Sequence, residues 1–328
     1  MKICILDTIE KDGSGGAVTH KWELSRNLAK FGHEVHAMTY EAKLEGIVAH
    51  PLKSKEKYIF KFVFKVKHLM HILKVLRMNN FDILYTRKVS FALLVQLIKG
   101  IGILKGAKLV LELNGLFSIY REYLKKRMKL GLSRDIRMAI MDYLEIIAAK
   151  KADAVIAVSP GIKDLLIKRG VNGNKVVIIP NGANIDMFRP IKGHVIDEIR
   201  RKYDIKEDTH VVMFVGSLTY WQGIDYLIQS IPLVLKVMPN TVFFIVGDGE
   251  LKNELIHLAE KMNVANKCIF TGKIPYEKVP LYINIADVCV DLKKNLPFGY
   301  SSLKLYEYMA CEKPVVASNI IDFEILKK

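Results

Sequence analysis

The sequence predicts an α/β protein built from two Rossmann-like, doubly wound domains that face each other across a cleft. Short β-branched or aliphatic runs alternate with helix-length segments along the chain, which is the pattern of a parallel sheet wrapped by helices. The runs fall into two series, and a length of 328 residues exceeds that of one typical domain. An apolar content of 51% is enough to bury two substantial cores.

The predicted strands of the two series set the domain organisation. They are 2–6, 34–38, 83–85, 109–113, 154–158 and 176–179, then 211–215, 241–246, 267–270, 287–291 and 314–317. The segment 188–208 between the series is charged and less regular, so we place one domain over residues 1–190 and the other over 191–328. Because ligands of doubly wound folds bind at the carboxyl ends of strands, we expect functional residues in the loops that follow them.

A helix start is predicted at Ser301 and Ser302, directly before the apolar-periodic run 303–311. Free backbone N–H groups and the positive end of the helix dipole attract anions at such a position. Lys304 and Glu307 are three residues apart and so share one helix face. The cation can balance a diphosphate, and the carboxylate can accept hydrogen bonds from ribose hydroxyls. This pattern predicts a nucleotide site, and the alternative for both side chains is a solvated surface charge.

A glycine-rich loop at 13–16 follows the first strand and opens a helix. A dinucleotide fingerprint would need a glycine where this chain has Val18, which argues against NAD. Two interpretations stay open: a flexible turn, or a loop in which the N–H groups of Gly15 and Gly16 approach a phosphate or an acceptor. His20, on the following helix, is either a surface histidine or an acceptor contact.

Further motifs run in a fixed order almost to the last residue. They are residues 15–20, 32–35, 179–184, 214–218, 223–225, 245–249, 270–272 and 298–318. In order and spacing they resemble the retaining two-domain glycosyltransferases called GT-B, in the group numbered family four. The resemblance implies an N-terminal acceptor-binding domain and a C-terminal domain for a UDP-sugar or GDP-sugar donor. It also implies a cytoplasmic hexosyltransferase without cofactor or metal, acting on a glycan or lipid-linked hydroxyl in glycan biosynthesis.

The resemblance also implies roles for residues at matching positions. The catalytic residues are Glu307, Lys304 and Asn114, which stands where the family often has a histidine near the donor sugar. The donor-binding residues are Gly15, Gly16, Gly216, Ser217, Gln222, Gly249, Ser301, Ser302, Lys304 and Glu307. The implied mechanism is a front-face displacement in which the leaving phosphate helps to deprotonate the acceptor, so that preorganised positive potential carries the catalysis.

This chain departs from the family pattern at the donor site. An Arg and a Lys that usually grip the diphosphate are replaced by Ser217 and Gln222, and a paired glutamate is replaced by Gly299. We expect Lys304 and the neighbouring serines to supply the missing anion stabilisation. The alternative is a non-catalytic scaffold that binds a sugar nucleotide or a membrane, or an inactive fragment, since the chain ends where the family normally continues.

The net charge of +16 predicts an anionic partner. Residues 53–77 contain eight Lys or Arg against one Glu, and aromatic residues lie between the cations. We expect the helix from Phe60 to Arg77 to contact an anionic membrane, with Leu69 and Met70 facing the core and Val75 on the basic face. A solvated basic helix is the alternative. Nucleic acid is not expected, because no zinc-finger, RNA-binding or recognition-helix pattern is present.

Targeting and cysteine patterns are typical of a cytoplasmic protein. The first residues lead directly into a strand, which argues against a signal peptide, and Lys99 and Lys105 interrupt the most apolar stretch. The cysteines at 4, 268, 289 and 311 lack metal or redox spacing, so we expect buried thiols in a reducing compartment. We therefore predict a cytoplasmic location, peripheral on the inner face of the membrane.

Overall fold

The chain divides into two compact units. The computed structural model describes residues 1–9, 16–52, 61–102, 104, 106–119, 121, 132–294 and 301–319, with the backbone alone at 17 and 61–68. One unit lies within Met1–Pro180 and the other begins at Asn181. This division comes before the predicted boundary after residue 190, because Phe188 is fully buried in the core of the second unit.

A parallel sheet forms the centre of the first unit. Its described strands are β1 (Lys2–Ile9), β2 (Glu34–Thr39), β3 (Val48–Pro51), β4 (Ile83–Thr86), β5 (Lys108–Leu113), β6 (Ala154–Ala157) and β7 (Val176–Ile178). The described helices are α1 (Gly16–Lys30), α2 (Lys61–Met78), α3 (Val89–Gly100), α4 (Leu132–Lys151) and α5 (Pro160–Lys168). The strand order is β3-β2-β1-β4-β5-β6-β7, and each neighbouring pair is parallel.

The second unit repeats this architecture with fewer strands. Its described strands are β8 (His210–Val215), β9 (Thr241–Val246), β10 (Cys268–Gly272), β11 (Val288–Asp291) and β12 (Val315–Ala317). The described helices are α6 (His194–Lys202), α7 (Ile224–Val237), α8 (Lys252–Lys261), α9 (Val279–Ile285) and α10 (Leu303–Ala310). The strand order is β10-β9-β8-β11-β12, again with parallel neighbours.

The predicted fold class is confirmed, and each predicted strand is present with small differences at its ends. The sequence did not predict β3 or α6. Strand β3 is an edge strand with partly or fully exposed residues and a terminal Pro51, so it lacks an apolar run. Helix α6 lies in the segment interpreted as irregular, because a single buried residue, Ile196, marks its apolar face.

Each sheet reverses its strand order at one place. The reversal falls between β1 and β4 in the first unit and between β8 and β11 in the second. From these points the connections wind in opposite directions, which leaves a crevice at the carboxyl ends of the two central strands. A ligand site is therefore expected at each of these two switch points.

Strand β8 is buried on both faces, as expected for a central strand of a parallel sheet. Met213 and Val215 enter one apolar cluster, and Phe214 enters another on the opposite face. Tyr308 of α10 belongs to the first cluster, and its hydroxyl oxygen accepts a 2.8 Å hydrogen bond from the backbone N–H of Val215. This bond ties α10 to the carboxyl end of β8.

Candidate functional site

At the switch point of the second unit, two glycines allow unusually close contacts. Gly216 directly follows β8 with φ of 149°, and a Cβ there would lie 2.8 Å from the Nζ of Lys304. A Cβ on Gly249, after β9, would lie 2.5 Å from the carbonyl oxygen of Leu218. Gly216 and Gly249 therefore lie in two tightly packed loops, which follow β8 and β9. Ser217, next to Gly216, is exposed.

Helix α10 begins directly after Ser301 and Ser302, as predicted, and the two serines make different contacts. Ser302 is buried at the N-cap position, and its side chain makes no capping hydrogen bond to the helix. Ser301 is held by Asn181, whose backbone N–H donates to Ser301 Oγ at 2.7 Å and whose Nδ2 donates to the Ser301 carbonyl at 2.6 Å. The contact with Asn181 was not predicted from the sequence.

Lys304 is a buried cation at the carboxyl end of the sheet, so it is not a solvated surface charge. Its ammonium donates to Gln222 Oε1 at 2.8 Å, lies 3.7 Å from Asp291 Oδ1 and sits 3.8 Å from the ring centroid of Phe214. Burial and the charge of Lys293 lower the pKa of Lys304 well below its usual value, against the opposing effect of Asp291 and Glu307. The sequence had identified Lys304 and Gln222 but not their direct contact.

Lys293 is one of the site residues that the sequence analysis missed. It follows the carboxyl end of β11, and its ammonium donates to the same Gln222 Oε1 at 2.6 Å. It also lies 3.4 Å from Asp291 Oδ1. Burial lowers the pKa of Lys293, and Asp291 opposes that shift. The sequence did offer a signal for Lys293, because the residue follows a predicted strand of the second series and ligands bind at the carboxyl ends of such strands. We call Gln222, Asp291, Lys293 and Lys304 the lysine cluster.

Negative charge is scarce in the lysine cluster. Asp291 is fully buried, and among the described residues neither of its carboxylate oxygens has a hydrogen-bond partner. Its contacts with the two ammonium groups are ion pairs longer than hydrogen bonds. Two buried ammonium groups thus share one carboxylate and one neutral amide oxygen. Such an arrangement favours an added anion.

Glu307 lies one helical turn beyond Lys304 and is also buried. Its Oε1 accepts a 3.0 Å hydrogen bond from the hydroxyl of Tyr276. Burial raises the pKa of Glu307 to about 7, although the Tyr276 hydrogen bond and the charge of Lys304 lower it. The structure therefore brings Glu307, Lys304, Gln222 and Gly216 together in one region, in agreement with their joint selection from the sequence.

A second polar cluster lies at the switch point of the first unit. Glu112, near the end of β5, contacts His20 Nε2 at 3.1 Å and Arg87 Nε at 3.1 Å, and its Oε2 also accepts a hydrogen bond from the Tyr85 hydroxyl. Asp7 of β1 accepts a 2.6 Å hydrogen bond from the backbone N–H of Arg87. We call these residues the Glu112 cluster. His20 had been identified from the sequence, whereas Tyr85, Arg87 and Glu112 had not.

The Glu112 cluster contains two buried carboxylates. Burial raises the pKa of Glu112, but the hydrogen bond from His20 and the charges of His20 and Arg87 bring it below the usual value. Within the described residues, Asp7 Oδ1 and Glu112 Oε1 have no hydrogen-bond partner, although Glu112 Oε1 is ion-paired. These oxygens are suited to accept hydrogen bonds from hydroxyl groups. An exposed residue, Asn114, follows β5 beyond this cluster.

The glycine-rich loop and helix α2 also contain residues for which the sequence made predictions. Gly15 lies outside the described residues, and Gly16 is exposed as the first residue of α1. Phe60 also lies outside them, and in the described part of α2 the predicted positions of Leu69, Met70 and Val75 were wrong. Leu69 and Met70 are exposed, whereas Val75 is buried with Ile72 and Leu76, because the buried stripe is rotated around the helix.

Three further features of the chain are its helix lengths, its metal-ligating side chains and its cysteines. Across the ranges that the structure describes, every helix is too short or too polar to cross a bilayer. The same residues hold no group of three or more His, Cys, Asp and Glu side chains placed to bind a metal ion. Cys4, Cys289 and Cys311 are buried free thiols, and Cys268 is partly buried. Burial raises the pKa of Cys4 to about 12, which disfavours its thiolate.

Comparison of the sequence with family models covers both units. Residues 195–324 match the model described as glycosyl transferases group 1. Residues 14–187, more than half of the chain, match the model described as Glycosyltransferase Family 4. The chain belongs to glycosyltransferase family 4. The two parallel-sheet units and the order of the sequence motifs agree with the GT-B fold of this family.

Individual relatives share about half of their length with this family 4 chain. An uncharacterized glycosyltransferase of Methanocaldococcus jannaschii, MJ1607, is 31% identical over 58% of this chain and 48% of its own length. The alpha-monoglucosyldiacylglycerol synthase of Streptococcus pneumoniae is 29% identical over 56% of this chain and 41% of its own. In fold, the chain is similar to Anabaena Alr3699/HepE in complex with UDP-glucose, with a TM-score of 0.73, 17% identity and coverage of 99% and 82% of the two chains.

Proposed function

We propose that the chain is a retaining glycosyltransferase that moves a sugar from a nucleoside-diphosphate sugar to a hydroxyl acceptor. The observation that carries this proposal is the placement of Lys304 and Glu307, one turn apart and both buried, at the switch point of the second sheet. Family membership supports a nucleotide sugar as the donor. The same placement is suited to a ligand with an anionic group next to a ribose.

Charge development during sugar transfer explains the proposed role of Lys304. As the bond between the sugar carbon and the phosphate oxygen breaks, negative charge grows on the leaving phosphate. A cation already fixed beside that phosphate stabilises the transition state more than the ground state. The ammonium of Lys304 is fixed beside the Phe214 ring and lies 3.7 Å from Asp291 Oδ1, so the cation itself needs little reorganisation. The departing phosphate then accepts the proton of the acceptor hydroxyl.

The remaining donor contacts follow from the loops around Lys304. Glu307, oriented by Tyr276, accepts hydrogen bonds from the ribose hydroxyls. The backbone at Gly216 and Gly249, with the exposed Ser217, lines the diphosphate. We propose a UDP-sugar or GDP-sugar as donor, and the UDP-glucose bound to Alr3699/HepE supports the first.

The first unit is proposed to bind the acceptor. The buried carboxylates of the Glu112 cluster would accept hydrogen bonds from acceptor hydroxyls, with His20 and Arg87 fixing Glu112. Asn114, exposed after β5, would contribute its amide near the donor sugar. A lipid-linked or glycan acceptor is proposed, and the name of the Streptococcus pneumoniae relative supports a lipid.

Two measurements test the proposed function. Titration calorimetry with UDP and GDP is expected to show binding by the wild type and a loss of at least tenfold in Lys304→Met, as expected when a charge-assisted contact is removed. Lys261→Met, at an exposed lysine of the same unit, is the matched control. Unchanged affinity in Lys304→Met would remove the assigned role.

Activity is measured separately from binding. Release of UDP or GDP from UDP-sugars and GDP-sugars, with a lipid extract as the acceptor source, is expected for the wild type and reduced in Glu307→Gln. Nucleotide binding without any turnover across this panel would instead identify a sugar-nucleotide-binding scaffold.

A further inference from the structure

Two ammonium groups converge on one neutral oxygen in the second unit. Lys293 and Lys304 donate to Gln222 Oε1 at 2.6 and 2.8 Å, and all three side chains are at least nine-tenths buried. An amide oxygen carries only a partial negative charge. It therefore offsets the repulsion between two cations less well than an ionised oxygen would.

The two ammonium groups also share one carboxylate among the described residues. Asp291 contacts both ammonium groups only at ion-pair distances of 3.4 and 3.7 Å. Glu307 is a second carboxyl near Lys304 in the described part of the chain, and burial raises its pKa, which favours its neutral form. The site therefore gains more from an anion between the lysines than from the amide that now lies there.

Backbone contacts hold the segment that carries Lys293 beside residues 221–223. The N–H of Lys294 donates to the Trp221 carbonyl at 3.1 Å, and the N–H of Lys293 donates to Ser318 Oγ at 2.9 Å. A Cβ on Gly223 would lie only 2.2 Å from the Leu292 carbonyl oxygen, so the loop after β8 and the loop after β11 are in direct contact. Lys293 is thus placed by the fold.

We infer that Lys293 and Lys304 together form the diphosphate-binding cation pair, and that the Gln222 amide occupies the position taken by a phosphate oxygen when the ligand binds. This inference rests on the proposed function, because it assigns further residues to the same donor site. Binding exchanges two hydrogen bonds to an amide for two charge-assisted hydrogen bonds to a phosphate, and the Gln222 side chain moves aside. The ligand class is a nucleoside diphosphate or inorganic pyrophosphate.

The first test uses inorganic pyrophosphate and UDP as calorimetric probes. Lys293→Met is expected to weaken binding of both at least tenfold, because it removes one of the two charge-assisted hydrogen bonds to the phosphate oxygen. Gln222→Lys in the Lys293→Met background returns a cation to the point of convergence and is expected to restore most of the lost affinity. Lys261→Met is the control for removal of a positive charge.

A second variant covers the case in which Lys293→Met fails to fold. Gln222→Glu places a permanent carboxylate between the two ammonium groups, so we expect a higher melting temperature and at least tenfold weaker pyrophosphate binding. Wild-type affinity for pyrophosphate in folded Gln222→Glu or folded Lys293→Met would overturn the inference. The same holds if the wild type does not bind pyrophosphate. Pyrophosphate binding with these variant effects but without sugar transfer would uphold the cation pair and reject the proposed function.

Discussion

Buried ionisable side chains dominate the chemistry at the residue scale. Removing a charge from water is costly, so a buried Lys or Glu persists only where neighbouring groups compensate it. The ammonium of Lys304 is stabilised by a hydrogen bond to Gln222, by the ring of Phe214 and by the carboxylate of Asp291 at 3.7 Å. Glu307 has the hydroxyl of Tyr276. This incomplete compensation is typical of a binding site and atypical of a purely structural core.

The raised pKa of Glu307 predicts how the free energy of unfolding depends on pH. Because burial raises its pKa from 4.5 to about 7, the folded state retains a proton that the unfolded state loses between these values. Its contribution to the free energy of unfolding is therefore complete below about pH 4.5 and declines as the pH rises to about 7.

Glu307→Gln removes this decline. Relative to the wild type, the variant is expected to gain roughly 2–3 kcal/mol of unfolding free energy between pH 4.5 and pH 8, measured by urea denaturation. Glu260→Gln, at an exposed carboxyl, is the control. A constant difference between Glu307→Gln and the wild type across this range would contradict the prediction.

The hydrogen bond between Tyr308 and β8 is expected to stabilise the folded second unit. Tyr308→Phe leaves the buried N–H of Val215 without the hydroxyl that now accepts its 2.8 Å hydrogen bond. A loss of about 1–3 kcal/mol in the free energy of unfolding is expected from an unsatisfied buried donor. Tyr143→Phe, at an exposed tyrosine, is expected to change little. Equal effects of the two substitutions on denaturant midpoints would show that this bond is unimportant.

At the scale of elements, the site depends on contact between the loop after β8 and the loop after β11. Gly223 is left-handed, with φ of 66°, and its Cα lies against the Leu292 carbonyl. This close approach brings Gln222 to Lys293. Neither loop alone contains the lysine cluster, which also includes Asp291 of β11 and Lys304 of α10, so its geometry depends on several elements of the second unit.

Gly223→Ala tests this loop contact. The left-handed backbone alone costs roughly 1–2 kcal/mol with a Cβ, and the clash with the Leu292 carbonyl adds to it. We expect a lower melting temperature and weaker binding of UDP. Gly182→Ala is the matched control, because a Cβ there meets no atom within 4 Å. Wild-type stability and affinity in Gly223→Ala would contradict the proposed loop contact.

At the scale of the whole molecule, the net charge of +16 favours an anionic surface as partner. Lys74 and Arg77 are exposed on α2, and Met70 and Met78 are exposed on the same helix. Exposed apolar and basic groups on one helix support the predicted membrane contact, although the apolar residues differ from those first assigned to the surface.

Vesicle cosedimentation measures this contact. The wild type is expected to bind vesicles containing phosphatidylglycerol at about 0.05 M NaCl and to dissociate at about 0.5 M, because salt screens exposed charges. Lys74→Gln with Arg77→Gln is expected to weaken binding more than Lys206→Gln with Lys261→Gln, which removes the same charge from exposed positions of the second unit. Equal binding to phosphatidylcholine vesicles would argue against an electrostatic contact.

The amino-acid sequence was enough to predict the two parallel sheets and several residues of the proposed donor region. Alternating strand and helix segments carry the fold, and Lys304 and Glu307 were identifiable because their spacing places them on one helical face. The tertiary structure alone decided that Lys293 joins Lys304 at Gln222, and that Glu112 joins His20. These residues meet because strand order brings distant loops to one sheet edge, and local periodicity contains no information about that order.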